Sequence, residues 1–130
     1  MISVAKALVS DAEGNTLVLC RSDTHPSYAH EADLPGGLIE PSESPAAAVI
    51  REIMEECGLA VDENKVKLLY TRVTPSGRQD SLYAVTVKGT KPDITISWEH
   101  KSYEWVERSK LLVSLQTKDD YMIVVFEYLK

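Results

Sequence analysis

Gly36-Gly37-Leu38-Ile39-Glu40-Pro41-Ser42-Glu43-Ser44-Pro45 runs directly into Ala46–Cys57 and closes at Gly58-Leu59. The second half of this stretch predicts a helix. Ser44 is a good N-cap, and Pro45 suits the first turn, where a missing N–H costs nothing. Gly58 stands where a helix ends in a left-handed residue. Ala46, Val49, Ile50, Ile53 and Cys57 follow the i, i+3, i+4, i+7 spacing of one buried face. Glu52, Glu55 and Glu56 fall on the opposite face, expected to be open to solvent. Three carboxylates there repel one another unless something positive sits among them, and a hard divalent cation, Mg²⁺ or Mn²⁺, suits oxygen ligands. The bland alternative for a bare E-x-x-E-E is a solvated acidic face.

The segment before the helix, read as a loop, matters as much. Gly36-Gly37 lets the backbone approach a ligand closely. Glu43 and Arg51 have opposite charge, and a loop folding back onto its helix would pair them. Arg51 lies about 100° round the helix from Glu52, which turns it toward Glu43 and the glycines.

Taken together, Gly37, Glu43, Arg51-Glu52-Ile53, Met54, Glu55-Glu56, Cys57 and Gly58-Leu59 resemble the Nudix box of the Nudix hydrolases at every fixed position. The resemblance reaches beyond the box. Two strands, the box, further strands, Glu99-His100 ahead of Glu104-Trp105-Val106, and a final helix follow the family's order over nearly the whole chain. It implies an α/β (α+β) fold, an α/β/α sandwich with a mixed β-sheet between helices. Periodicity alone gives only a mixed α and β domain.

Composition sets the outer bounds. At 130 residues one domain over 1–130 is expected, and the 44% hydrophobic and 26% charged fractions are those of a globular protein. A net charge of −6 argues against a binder of nucleic-acid polymers or anionic membranes, which are gripped by basic surfaces. It leaves small phosphorylated substrates open, because a bound metal and a few arginines reverse the local field. No apolar run approaches the ~20 residues of a membrane span, and the N-terminus lacks signal-peptide order. Cys20 and Cys57 read as buried free thiols in a reducing cytoplasm.

Along the chain, Ser3–Ser10 and Thr16–Arg21 predict a hairpin around the turn residues Asp11–Asn15. Arg21 ends the second strand, where a solvated arginine is the plain expectation. His25, Tyr28 and His30 fall in a polar loop, and neither histidine has a partner at metal-ligand spacing. Asp33-Leu34-Pro35 predicts a short extended segment. Val66–Val73, Ser81–Lys88, Ile94–Trp98 and Tyr103–Val106 read as strands, with Thr74–Asp80 a loop. Arg108–Leu115 predicts a short helix, and Thr117 with Asp120 resembles a capping box opening a helix to about Leu129.

The resemblance implies hydrolysis of a diphosphate within a nucleoside diphosphate linked to another group. Glu52, Glu55, Glu56 and Gly37 would hold Mg²⁺ or Mn²⁺. Arg21, Gly36 and Gly37 would bind substrate, a role a guanidinium performs well on phosphate. Glu55, Glu56, Glu99 and Arg51 form the catalytic set, with Glu43 and Arg51 as structural support. The base is a carboxylate: Glu55 or Glu56 on the helix, or Glu99 from the later loop. Many members carry tryptophan where Ala32 stands, so one common aromatic contact is missing. Pro75 is placed as in ADP-ribose-cleaving members, while the length equally suits enzymes of nucleoside triphosphates, oxidised nucleotides or dinucleoside polyphosphates. The expected partner is a small-molecule nucleotide, with a homodimer as the expected assembly. A non-catalytic nucleotide sensor on the same fold predicts loss of the carboxylates or Arg51, and none is lost. An EF-hand-like calcium loop predicts alternating ligands that Leu38-Ile39 and Pro41 do not supply.

Overall fold

A computed structural model describes residues 2–26 and 28–111. Among them, strand β1 (Ser3–Ser10) leads through a tight turn to β2 (Thr16–Arg21). The turn is built on Asp11, whose carboxylate accepts hydrogen bonds from Glu13 N (3.0 Å), Asn15 N (2.8 Å) and Asn15 Nδ2 (2.9 Å). The short strands β3 (Ala32–Asp33) and β4 (Gly36–Leu38) follow, then helix α1 (Pro45–Cys57). Strands β5 (Val66–Val73), β6 (Gln79–Thr86) and β7 (His100–Val106) complete a mixed seven-stranded sheet.

The two strands of the hairpin meet at Ser10 and Thr16 and then take different partners. Strand β1 pairs in parallel with β6 along its whole length and antiparallel with β4. Strand β2 pairs antiparallel with β3 and β7. Strand β1 is buried on both faces as well as paired at its edges, which is why it reads as a nearly continuous apolar run rather than an alternation. Ala5, Ala7 and Val9 pack with Val49, Ile53 and Cys57 of α1. Leu8 points the other way, to Leu34, Leu82, Val106 and Leu111.

Helix α1 forms as its sequence predicts. The Ser44 hydroxyl accepts from Ala47 N at 3.1 Å, and Gly58 takes φ +70° beyond the last turn. Its buried face differs in detail: Ala48, Val49, Ile53, Glu56 and Cys57 are buried, whereas Ala46 and Ile50 are only half-buried. Further expectations are corrected. The glycine segment is a strand, because its lack of side chains lets it lie directly on β1. Strand β6 begins two residues earlier than its alternation suggests, drawn into register by the parallel ladder with β1. Ile94–Trp98 joins no ladder, while β7 starts at His100. Arg108–Lys110 forms a 3₁₀ turn, while positions 112–115 of the expected short helix and the whole of the expected C-terminal helix lie outside the described residues. No helix of the described residues is long and apolar enough to cross a membrane.

Candidate active site

The site is assembled where β4 passes between β1 and α1. Gly36 sits at φ +140°, and a Cβ there would overlap the Ala5 carbonyl and the Lys6 backbone. No other residue type fits. A Cβ on Gly37 would stand 3.0 Å from Glu52 Oε1, so the second glycine leaves room for a carboxylate from the helix.

Arg51 organises the acidic residues around it. Its Nε donates to Glu43 Oε2 at 2.8 Å and its Nη2 to Glu43 Oε1 at 3.0 Å. The same Nη2 donates to the Leu38 carbonyl at 3.1 Å. Nη1 reaches Glu52 Oε1 at 3.0 Å and Glu55 Oε2 at 3.3 Å. Glu43 also accepts from Glu40 N at 3.0 Å, so one carboxylate closes the loop and grips the helix. The Arg51 hydrogen bonds hold the Glu43 carboxyl below its ordinary pKa. Glu43, followed by Glu52, raises the pKa of Arg51 in turn.

Glu56 corrects the expectation of a solvent-open acidic face. It is 2% exposed, turned inward under the glycine strand, where Gly36 N approaches its Oε2 at 3.4 Å. Burial raises its pKa far above the usual carboxylate range; Lys6 opposes the shift, and Asp33 and Glu52 add to it. The Glu55 side chain, by contrast, is 57% exposed. One helix thus presents three carboxylates in three environments.

Behind the glycine strand lies a buried ionic cluster that the sequence reading missed. Asp33 Oδ1 accepts from Lys6 Nζ at 2.7 Å and Arg21 Nη2 at 3.2 Å, and its Oδ2 lies 3.0 Å from His100 Nε2. Lys6, Asp33 and His100 are all buried. Burial works to raise the Asp33 pKa, but Lys6, His100 and Arg21 overcome it and hold the carboxyl far below its ordinary range. The available signal was a lysine inside an otherwise apolar strand, which needs a buried partner.

Arg21 and Glu99 have partners outside the Arg51 cluster. Arg21 is neither solvated nor presented outward: it is 3% exposed, it binds Asp33, and its guanidinium lies 6.0 Å from the Tyr28 ring centroid. The solvated arginine expected at the end of β2 is therefore not what the structure presents. Glu99 belongs to the loop side, with its carbonyl accepting from Ser22 N at 2.9 Å and its carboxylate 3.9 Å from His25 Nε2. The structure thus gathers Gly36, Gly37, Glu43, Arg51, Glu52, Glu55 and Glu56, and ties Arg21 and Glu99 to other partners.

Among the described residues, no three or more acidic, histidine or cysteine side chains converge on one point as a ready cation cage. Arg51 occupies the space between Glu52 and Glu55. The donor chemistry nevertheless fits a hard cation. The charges of Glu52 and Glu56 act on one another in a largely buried place, where two carboxyls favour a shared cation over mutual repulsion.

A NUDIX domain model matches residues 2–126. An RNA pyrophosphohydrolase of Acidiphilium cryptum (strain JF-5) is 46% identical over 61 residues, covering 47% of this chain and 37% of that protein. The chain thus aligns with little more than a third of that relative's length. Among solved structures, a MutT protein from Methanosarcina mazei Go1 superposes with a TM-score of 0.76 at 27% identity, over 98% of this chain and 91% of that one. The E. coli ORF135 protein does so with a TM-score of 0.69 at 26% identity, over 99% and 90%.

Proposed function

The chain belongs to the NUDIX family, and on that premise we propose that residues 1–130 act as one domain hydrolysing a diphosphate bond in a small nucleoside diphosphate derivative. The supporting observation is the arrangement of Glu52, Glu55 and Glu56 about Arg51 and the two glycines. A divalent cation, Mg²⁺ or Mn²⁺, would be held by Glu52 and Glu56 with Glu55 and the Gly37 backbone. Bound there, it would mask phosphate charge and acidify a water. In the reaction, a water oxygen bonds to one phosphorus and the bridging P–O bond breaks. The departing phosphate carries away the bonding electron pair, and the water's proton passes to a carboxylate. Glu56, which faces the Gly36 amide, and the exposed Glu55 are the helix carboxylates placed to receive it, with Glu99 of the later loop the third candidate. No covalent intermediate is needed, because phosphoryl transfer rests on positioning and electrostatic stabilisation.

Candidate substrates are nucleoside triphosphates, oxidised nucleotides, ADP-ribose and dinucleoside polyphosphates. The test is turnover by purified protein on that panel with Mg²⁺, with Mn²⁺, and in excess chelator. Metal-dependent hydrolysis of at least one class is expected. Folded protein that binds nucleotide but hydrolyses none would establish a sensor module instead.

A further inference from the structure

We propose that Lys6 is a positioning residue of this site, holding the Asp33–Gly37 segment on β1 so that the Gly36 amide meets Glu56. The inference rests on the hydrolytic reading above. Lys6 is buried in the central strand of the sheet, where a Met or Leu would pack without desolvation cost. Replacing buried ion pairs by apolar residues is often neutral or stabilising, so stability alone is a poor reason for a lysine here. Its contacts supply another reason. The ammonium donates to Asp33 Oδ1 at 2.7 Å and to the Leu34 carbonyl at 3.1 Å, engaging one side chain and one backbone group of the segment.

The backbone of the same strand continues the grip. Ala7 N donates to the Pro35 carbonyl at 2.9 Å, Lys6 stands opposite Gly36, and Ala5 stands opposite Gly37. At the end of this series Gly36 N lies 3.4 Å from Glu56 Oε2. Arg21 of β2 shares Asp33 Oδ1 with Lys6 and His100 of β7 contacts Oδ2, so the anchor is itself held by two further strands. Burial works to discharge the Lys6 ammonium, but the Asp33 carboxylate at 2.7 Å leads the effects that oppose it and its pKa is raised. The lysine is therefore charged and able to donate from both contacts.

The test compares Lys6→Met with wild type by ¹H–¹⁵N spectroscopy and steady-state kinetics. We expect the Gly36 amide to shift and to exchange with solvent at least about tenfold faster, while the Arg51 Nε–H signal stays in place. We expect kcat to fall by roughly ten- to a hundredfold with KM within about twofold, the signature of a misplaced catalytic group. Asp33→Asn, which keeps the shape and removes the charge, should move both readouts the same way and serves if Lys6→Met does not fold. An unmoved Gly36 amide in the folded variant, or an unchanged kcat, would overturn the proposal. A wild type without turnover would defeat the hydrolytic reading alone, and the Gly36 amide would still decide whether Lys6 holds the segment.

Discussion

Arg51 holds Glu43 at two points, Nε to Oε2 at 2.8 Å and Nη2 to Oε1 at 3.0 Å, while its remaining nitrogen reaches Glu52 at 3.0 Å. A planar fork is required for such a grip, and the third contact couples the loop's position to a proposed metal ligand. Arg51 thus acts as a rigid spacer between the glycine segment and the carboxylates.

Arg51→Lys keeps the charge and loses the fork. A misplacement of about 1 Å costs on the order of 100-fold in rate, so kcat should fall by about that factor with metal affinity changed less. Glu43→Gln should fall similarly. Because the two act as one unit, the double variant should lose far less than the product of the single losses. Strictly multiplicative losses in a double-mutant cycle would show that they work independently.

Gly36 and Gly14 separate close approach from backbone angle. Both have positive φ, but a Cβ at Gly36 meets the β1 backbone whereas one at Gly14 has nothing within 4 Å. Gly14→Ala should cost about 1 kcal/mol, the strain of the angle alone. Gly36→Ala should cost roughly 3 kcal/mol or more, because the strand must move off β1. Urea unfolding of the two variants measures the difference, and equal losses would contradict the packing.

Asp11 makes stability depend on acid. Burial would raise its pKa, but hydrogen bonds from Asn15, Lys91 and Glu13 outweigh this and lower it from 3.8 to about 2. The unfolded chain then binds the proton more readily than the folded one, so stability rises with pH through this range. The contribution is complete above the unfolded value and is lost as pH falls through about 2. Asp11→Asn should therefore unfold at lower urea than wild type at pH 5, with the gap narrowing steadily toward pH 2. A gap independent of pH would assign the effect to lost geometry rather than charge.

What the sequence made legible follows from how local each signal is. The ends of α1 depend on Ser44, Pro45 and Gly58, whose preferences act within a turn, and they were read correctly. The Glu43–Arg51 pair was legible because loop return and helix phase both pointed to it. Lys6 and Asp33 were missed because their meeting depends on which strands neighbour one another, and no spacing along the chain encodes that. Glu56 was assigned to solvent because helical phase was read without the glycine strand that covers it. The same limit applied to Arg21, whose inward turn depends on Asp33 of the adjacent strand.

The central claim is that the box carboxylates of α1 carry out metal-dependent hydrolysis, and Glu56 is the most direct place to test it. Glu56→Gln preserves shape and the Gly36 contact while removing the charge and the proton-accepting oxygen. The measurement is kcat of this variant at saturating Mg²⁺ on the best substrate of the panel, with folding checked by circular dichroism. The account predicts a loss of roughly a thousandfold or more, the scale of removing a principal electrostatic group from a reaction centre. A folded variant turning over within about twofold of wild type would show that this carboxylate lies outside the chemistry, and the account would be wrong.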